Sequence, residues 1–160
     1  MIDQVDLHIL DFLQANARLS NAEIARRVGL TPPAIFERIK KLEKSGVIKG
    51  YHAKLDYRAL GFNLLAFTFV SLKDMKRLPE TGRRLADTPG VCEVHYTAGK
   101  DCFLLKLRCR DTEQLQEVLE AVNRLPEVAG TNTIIGLKEM EAAGPGLGEW
   151  PPAAAPRRGR

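Results

Sequence analysis

The strongest constraint on this chain is the stretch 20–46, which carries the start and stop signals of two helices in close succession. Ser20 and Glu23 have the spacing of a capping box, in which each side chain binds a free backbone N–H at the helix start. Gly29 is a typical residue to end a helix, because glycine adopts the left-handed backbone there at low cost. The sequence therefore predicts a first helix over 20–28.

A second helix is predicted almost directly after the first. Thr31 is a suitable N-cap, and the proline after it lacks the N–H that a first helical residue would leave unbonded. Ile35, Ile39 and Leu42 recur at the spacing of one helical face and predict an inward stripe. The second helix is expected over 31–45, and two capped helices joined by a short glycine-containing turn form a helix-turn-helix.

The outer face of the second helix is basic, which distinguishes it from a plain helical hairpin. Residues 1–60 have a net charge of +3, whereas residues 61–142 have a net charge of −1. A positive excess in the part that contains the helical pair suits a polyanionic partner. Because an α-helix fits the major groove of duplex DNA, we expect the second helix to lie there, with double-stranded DNA as the partner.

The candidate DNA contacts are residues at the start and on the outer face of this helix. Arg38 is the best candidate for a bidentate contact to guanine or phosphate, and Glu37 is suited to accept from cytosine N4. Phe36 either contacts a thymine methyl group or packs inward, and both alternatives stay open. The lysines are expected to bind phosphates, which position a protein without specifying a sequence. The complete predicted set is Thr31, Pro33, Ala34, Phe36, Glu37, Arg38, Lys40, Lys41 and Lys44.

The residues on either side of the helical pair predict a further helix and a wing. Leucines recur every three residues over 7–13, which indicates an amphipathic helix with Asp3 as its N-cap. After the pair, residues 47–55 mix β-branched and aromatic residues with polar ones and predict a short strand or wing. Residues 57–61 are predicted to be a hinge.

The second part of the chain alternates predicted strands and helices. Strands are expected over 64–72, 91–97, 101–109 and 131–140, and helices over 78–88 and 111–125. The order β-α-β-β-α-β is that of a ferredoxin-like domain, so the fold class is α+β. The predicted domains are a winged helix-turn-helix with its linking strand over 1–61, a ferredoxin-like domain over 62–142, and a disordered tail rich in Gly, Pro and Ala over 143–160.

These stretches together resemble the leucine-responsive regulator/AsnC family, also called feast/famine regulators. The matching stretches are 5–13, 17–20, 23–25, 28–30, 38–43, 45–48 and 51, then 90–91, 99, 104–106, 125–126 and 131–137. The resemblance covers about residues 2–142. It implies a DNA-binding transcription regulator with an effector-binding and oligomerisation domain. It also implies homodimers, often assembled into tetramers or octamers, with an amino acid or related metabolite bound between dimers.

The resemblance also implies where an effector would bind. In the family, the hairpin turn carries Gly followed three residues later by Asp. Here Gly99 is present, Cys102 holds the usual Asp position, and Asp101 precedes it. Asp101 either caps an amino group from a shifted turn or is an exposed turn residue. The candidate effector-binding residues are Gly99, Asp101, Cys102, Thr133, Ile134, Ile135 and Gly136.

Two other classes of function compete with a regulator. An architectural protein that wraps DNA without a small-molecule effector would share all of these motifs. Siroheme decarboxylases are similar in architecture, but His8, His52 and His95 are far apart in the sequence. The sequence contains no catalytic triad pattern, H-E-x-x-H, phosphate-binding loop or metal-ligand spacing, so no enzymatic activity, cofactor or metal is expected.

The cysteines and the hydropathy indicate the compartment. The three cysteines form no C-x-x-C pair, which suits a reducing environment better than a disulfide framework. No stretch approaches the ~18 consecutive apolar residues of a membrane-spanning helix. The N-terminus lacks the basic region and apolar run of a secretory signal. The sequence therefore predicts a cytoplasmic protein without membrane contacts.

Overall fold

The computed structural model describes residues 2–140 and Leu147, so most of the predicted tail over 143–160 lies outside the described residues. The chain from its start to Ala53 and the chain from Lys54 to Met140 belong to two separate compact units. No helix in the described part of the chain is long and apolar enough to cross a membrane.

The two units divide between Ala53 and Lys54, whereas the sequence predicts the boundary after residue 61. Residues 54–61 belong to the second unit and pack on it. The Arg108 guanidinium carbon lies 4.1 Å from the ring centroid of Tyr57, a cation–π contact. Arg58 donates from Nη2 to the main-chain oxygen of Leu137 at 3.3 Å. These contacts make the predicted hinge a part of the second unit.

The first unit contains α1 (Gln4–Ala15), α2 (Asn21–Val28) and α3 (Pro32–Lys44). Its caps confirm the sequence prediction. The Ser20 hydroxyl accepts from the backbone N–H of Glu23, and the Glu23 carboxylate accepts from the backbone N–H of Ser20. Gly29 ends α2 in the left-handed conformation, with φ of 73°. Thr31 occupies the N-cap position of α3, but its side chain makes no capping hydrogen bond.

The three helices pack around one apolar cluster. Its buried members are Ile9, Ile24, Ala25, Ile35 and Leu42, and Ile39 packs against them half-buried. The predicted stripe on α3 is therefore confirmed. Full burial of a large aliphatic side chain contributes about 1.5–3 kcal/mol, so this cluster fixes which face of α3 is turned outward.

Of the predicted strand or wing over 47–55, the strand is wrong: these residues contain no strand. A strand is stable only when a neighbouring strand accepts and donates its ladder hydrogen bonds. All four described strands belong to the sheet of the second unit, so the segment has no strand partner among the described residues. A side-chain hydrogen bond from Tyr51 Oη to Glu43 Oε1, at 2.9 Å, connects the segment to α3.

The second unit confirms the predicted ferredoxin-like order. It consists of β1 (Leu64–Leu72), α4 (Leu78–Ala86), β2 (Val91–Tyr96), β3 (Phe103–Cys109), α5 (Thr112–Asn123) and β4 (Val128–Gly136). The strands form one sheet in the order β2-β3-β1-β4, and each neighbouring pair is antiparallel.

Some strand boundaries differ from the prediction, most of all those of β4 and the start of β3. β4 begins earlier and ends earlier than predicted, since it pairs with β1 from Leu72↔Val128 to Leu65↔Gly136. β3 begins at Phe103 because residues 97–102 form the hairpin turn that precedes it.

The sheet has one covered face and one open face. The residues of β1 and β3 that point to α4 and α5 form the buried core with the inner residues of those helices. This core contains Ala66, Val70, Leu85, Phe103, Leu105, Leu107, Leu115, Val118 and Val122. Because side chains alternate along a strand, the residues between them lie on the other face. This open face carries the half-buried Phe67, Phe69 and Leu104 and the exposed Ile134.

Candidate DNA-binding surface and effector region

The outer face of α3 exposes most of the predicted DNA contacts. Thr31, Pro33, Phe36, Glu37, Lys40, Lys41 and Lys44 are exposed, whereas Ala34 and Arg38 are half-buried. The buried stripe of the same helix faces the core, so these side chains are left for a partner. The helical phase that the sequence predicts therefore agrees with the structure.

Phe36 is turned outward, which decides between its two predicted orientations. Its exposed fraction is 51%, and the Lys40 ammonium lies 5.8 Å from its ring centroid. An exposed aromatic ring beside a cation is suited to apolar contact with a base while the cation reaches a phosphate.

Arg38, the residue predicted to make a bidentate DNA contact, is paired with two carboxylates of its own chain. Its Nη1 lies 2.7 Å from Oδ2 of Asp3 and 2.7 Å from Oδ1 of Asp6. The hydrogen bonds to these carboxylates raise the pKa of Arg38 above its ordinary value. Only 6% of the Asp6 side chain is exposed. The guanidinium therefore joins α3 to the start of α1 through Nη1, while 32% of the Arg38 side chain is exposed.

The exposed cations of α3 are lysines. Lys40, Lys41 and Lys44 lie along the exposed side of α3. Arg27, in the last turn of α2, places its guanidinium carbon 5.2 Å from the Phe12 ring centroid. A lysine ammonium is a point charge that suits phosphate, whereas the planar fork of arginine suits guanine. With Nη1 of Arg38 held by two carboxylates, the exposed face of α3 is better equipped for phosphate than for base contacts.

The hairpin turn over 97–102 contains the first group of predicted effector residues. Gly99 has φ of +143° and open space where a Cβ would be. The Thr97 hydroxyl donates to the main-chain oxygen of Asp101 at 2.7 Å. Cys102 is buried, with its Sγ 3.4 Å from the Met75 Sδ. The position that carries Asp in the family pattern thus holds an inward-facing thiol, and the half-buried Asp101 is the nearby carboxylate.

The second group lies on β4, and the single chain does not bring it together with the turn. The Thr133 hydroxyl shares a 2.9 Å hydrogen bond with the Thr68 hydroxyl, while Ile134 and Ile135 are both 53% exposed. Gly136 pairs with Leu65, and the turn adjoins the opposite end of β1. At about 3.3 Å per residue along β1, Gly136 is about 16 Å from the end that the turn adjoins, and Thr133, which pairs with Thr68, is about 7 Å from it.

Sequence reasoning missed an ionic network on the open face of the sheet. Arg108 lies 2.6 Å from a Glu139 oxygen, and Lys106 lies 3.3 Å from the other oxygen of that carboxylate and 3.1 Å from Glu93. Hydrogen bonds first from Arg108 and then from Lys106 lower the pKa of Glu139. Basic and apolar residues alternate in β3, and this pattern indicates that Lys106 and Arg108 lie on the same face of the sheet.

The described residues contain no group of three or more His, Cys, Asp or Glu side chains that could hold a metal ion. His8 lies on α1, His52 in the irregular segment and His95 on β2, and all three are exposed. His95 contacts Glu93 at 3.1 Å.

Comparison with known protein families gives two matches, which together span most of the chain. A winged helix-turn-helix DNA-binding model matches residues 2–49. An Lrp/AsnC ligand-binding domain model matches residues 65–144, half of the chain.

Similar proteins match over nearly their whole length. The HTH-type transcriptional regulator FL11 of Pyrococcus horikoshii is 38% identical over 86% of this chain and 90% of its own length. The leucine-responsive regulatory protein of Rhizobium meliloti is 34% identical over 89% and 93%. The regulatory protein AsnC of Escherichia coli is 32% identical over 86% and 91%.

Solved structures agree with the fold. The structure of E. coli AsnC covers 89% of this chain and 97% of its own, with a TM-score of 0.80 at 32% identity. A feast or famine regulatory protein of M. tuberculosis in complex with L-methionine has a TM-score of 0.83 at 27% identity, covering 89% of this chain and 96% of its own. A transcriptional regulator of Neisseria meningitidis, also with L-methionine, has a TM-score of 0.81 at 29% identity, covering 89% and 94%.

The chain has a helix-turn-helix in which the outer face of α3 is exposed, followed by a ferredoxin-like unit. This combination defines a DNA-binding transcriptional regulator. The family follows from the matches just described. The chain belongs to the Lrp/AsnC family of transcriptional regulators.

Proposed function

We propose that this chain is a cytoplasmic regulator whose DNA binding responds to an amino acid or a related metabolite. The observation that carries the proposal is the outer face of α3, where exposed lysines and Phe36 lie opposite a buried apolar stripe. The response to an amino acid is supported by the ligand-binding domain model and by the two relatives whose structures contain L-methionine.

The first proposed step is insertion of α3 into the major groove. Phe36 offers an apolar edge to a thymine methyl group, and Glu37 accepts from cytosine N4. Lys40, Lys41 and Lys44 bind phosphates and fix the position of the helix. Phe36→Ala is expected to weaken the preference at one base step, while Lys41→Ala weakens binding to all sequences similarly. The measurement is a binding-site selection repeated with each variant.

The second proposed step is pairing of two copies through the open face of the sheet. Phe67, Phe69, Leu104 and Ile134 form an apolar strip there, on the face opposite the one that α4 and α5 cover. Exposed apolar patches on soluble proteins usually mark contact sites. A two-fold dimer presents two copies of α3 and binds an approximately palindromic site. Further assembly to a tetramer or octamer is part of the proposal.

The effector is proposed to bind at the turn that contains Gly99 and Asp101, with the Asp101 carboxylate accepting from the amino group. Thr133, Ile134, Ile135 and Gly136 lie away from this turn along β1, so a site that uses both groups needs a second copy of the chain. Calorimetry against the twenty standard amino acids should find at least one that binds, and this amino acid should change the affinity for the operator. Absence of binding by all of them would favour a regulator without an amino-acid effector.

One observation favours an architectural, DNA-wrapping role as the alternative. Nη1 of Arg38 is held by Asp3 and Asp6, so part of the best candidate for guanine recognition is already paired within the protein. A surface of lysines binds phosphates without reading sequence. Footprinting distinguishes the two functions, because a regulator protects discrete half-sites and an architectural protein protects DNA without them.

We propose no catalytic activity. The three histidines lie in different elements, and a tetrapyrrole decarboxylase needs basic residues clustered around its substrate. A coloured, haem-bearing preparation of the purified protein would contradict this part of the proposal.

A further inference from the structure

A second basic surface lies on the ferredoxin-like unit, outside the helix-turn-helix. Lys73, Lys76, Arg77 and Arg84 lie at the C-terminal end of β1, in the following loop and on α4, and we call them the basic edge. All four side chains are exposed. Lys73, Lys76 and Arg77 line an open cleft of about 460 Å³ together with Asp74, Pro126 and Glu127.

The basic edge has more positive charge than its own structure neutralises. Glu127 has a side chain that is 10% exposed, and its Oε1 lies 3.2 Å from Arg84 Nη1 and 4.0 Å from Arg77 Nη1. Two guanidinium groups therefore share one carboxylate. The Lys73 ammonium donates to the main-chain oxygen of Pro126 at 3.0 Å, a neutral acceptor. Asp74 is the second carboxylate at the cleft, so three cations line it against two anions.

The position of Arg77 adds to this imbalance. It is the N-cap residue of α4, and its side chain makes no capping hydrogen bond. The positive end of a helix dipole favours a nearby anion, so a cation there is electrostatically unfavourable. Arg84 alone would hold Glu127 in place. Arg77 contacts Glu127 only at 4.0 Å, and Lys76 and Arg77 are both exposed, so their charges are accessible to a partner.

We propose that the basic edge binds the phosphodiester backbone of DNA as a second contact, independent of sequence and additional to α3. A duplex presents one negative charge per about 1.7 Å of its axis, which suits cations spread along an exposed edge. The carboxylate of Glu127 at the cleft disfavours a small anion that would have to enter it. This inference rests on the proposed DNA-binding function.

The test measures the salt dependence of binding by the full-length protein to a duplex of about 150 bp that contains its operator. Lys76→Ala/Arg77→Ala is the double variant. The slope of log Kobs against log salt should become shallower by about 0.9 for each phosphate that the variant no longer neutralises. Lys76→Arg/Arg77→Lys retains the charges and should keep the wild-type slope. Arg110→Ala removes a charge from the exposed residue that follows β3, at the opposite end of the sheet, and should also keep it.

An unchanged slope in Lys76→Ala/Arg77→Ala, with circular dichroism showing a folded protein, would overturn the inference. A comparable change in Arg110→Ala would overturn it as well, because general charge would then explain the effect. If inorganic phosphate without DNA raises the Tm of the wild type but not of the double variant, and the slope is unchanged, the edge is a small-anion site instead. Failure of the wild-type protein to bind any duplex would contradict the proposed function itself.

Discussion

The guanidinium of Arg38 lies between two carboxylates at the start of α1, at 2.7 Å from an oxygen of each. Asp3 and Asp6 also form the capping box of that helix, so the ion pairs and the cap support the same turn. Helix phase in the sequence shows where Arg38 lies on α3, but not which partner it has. The partners are 35 and 32 residues away in the chain, and only the packed structure brings them together.

Arg38→Ala is expected to lower the free energy of unfolding by about 1–3 kcal/mol, because Asp6 would stay buried without its charged donor. Urea denaturation measures this change. Lys41→Ala removes an exposed cation from the same helix and should change stability by no more than about 0.5 kcal/mol. Equal effects of the two substitutions would contradict a structural role for Arg38.

The ionisation of Asp3 makes the stability of the first unit depend on pH. The backbone N–H of Asp6 and then Arg38 lower the pKa of Asp3. An ionised group with a lowered folded pKa contributes stability that is present above pH about 4 and lost as the pH falls through the folded pKa. Asp3→Asn keeps a good N-cap but has no charge. As the pH falls from about 5 to about 3, the Tm of Asp3→Asn should therefore fall less than the Tm of the wild type. Parallel curves of Tm against pH for the two proteins would refute this.

At the scale of single elements, local signals predicted most of the fold. The caps at Ser20 and Gly29 are encoded within a few residues, and β1 has the predicted bounds, Leu64–Leu72. Features that depend on distant partners were not predictable in the same way. The 47–55 segment has strand-like composition but no strand to pair with among the described residues, and β4 takes its length from β1. The predicted effector residues are likewise divided between a turn and a strand.

Gly90, between α4 and β2, is a position where element packing excludes a side chain. Its φ is +90°, and a Cβ would lie 2.7 Å from Cγ2 of Val118 on α5. Gly90→Ala should therefore lower the stability, and with it the Tm, through both backbone strain and overpacking, together about 2–4 kcal/mol. Gly29→Ala is the matched control, since φ is +73° but no atom lies within 4 Å of its Cβ position. A smaller destabilisation of about 1 kcal/mol is expected there, and equal shifts in the two variants would argue against the packing clash.

At the scale of the whole molecule, the proposed dimer depends on the open face of the sheet. Phe69→Asp places a carboxylate within the apolar strip and should convert the dimer to a monomer, because an unpaired charge is costly to bury. Light scattering after size-exclusion chromatography measures the mass. Phe36→Asp makes the same change on α3 and should leave the dimer intact. A dimer that survives Phe69→Asp would place the interface elsewhere.

In the proposed function, α3 reads DNA sequence as part of a symmetric assembly. Selection of bound sequences from a random duplex library by the full-length protein, followed by footprinting of the enriched site, tests this role. We expect an approximately palindromic motif with half-sites one helical turn, about 10–10.5 bp, or a multiple of that apart. A selection that enriches no sequence, with protection that shows no half-sites, would contradict it and would favour an architectural protein.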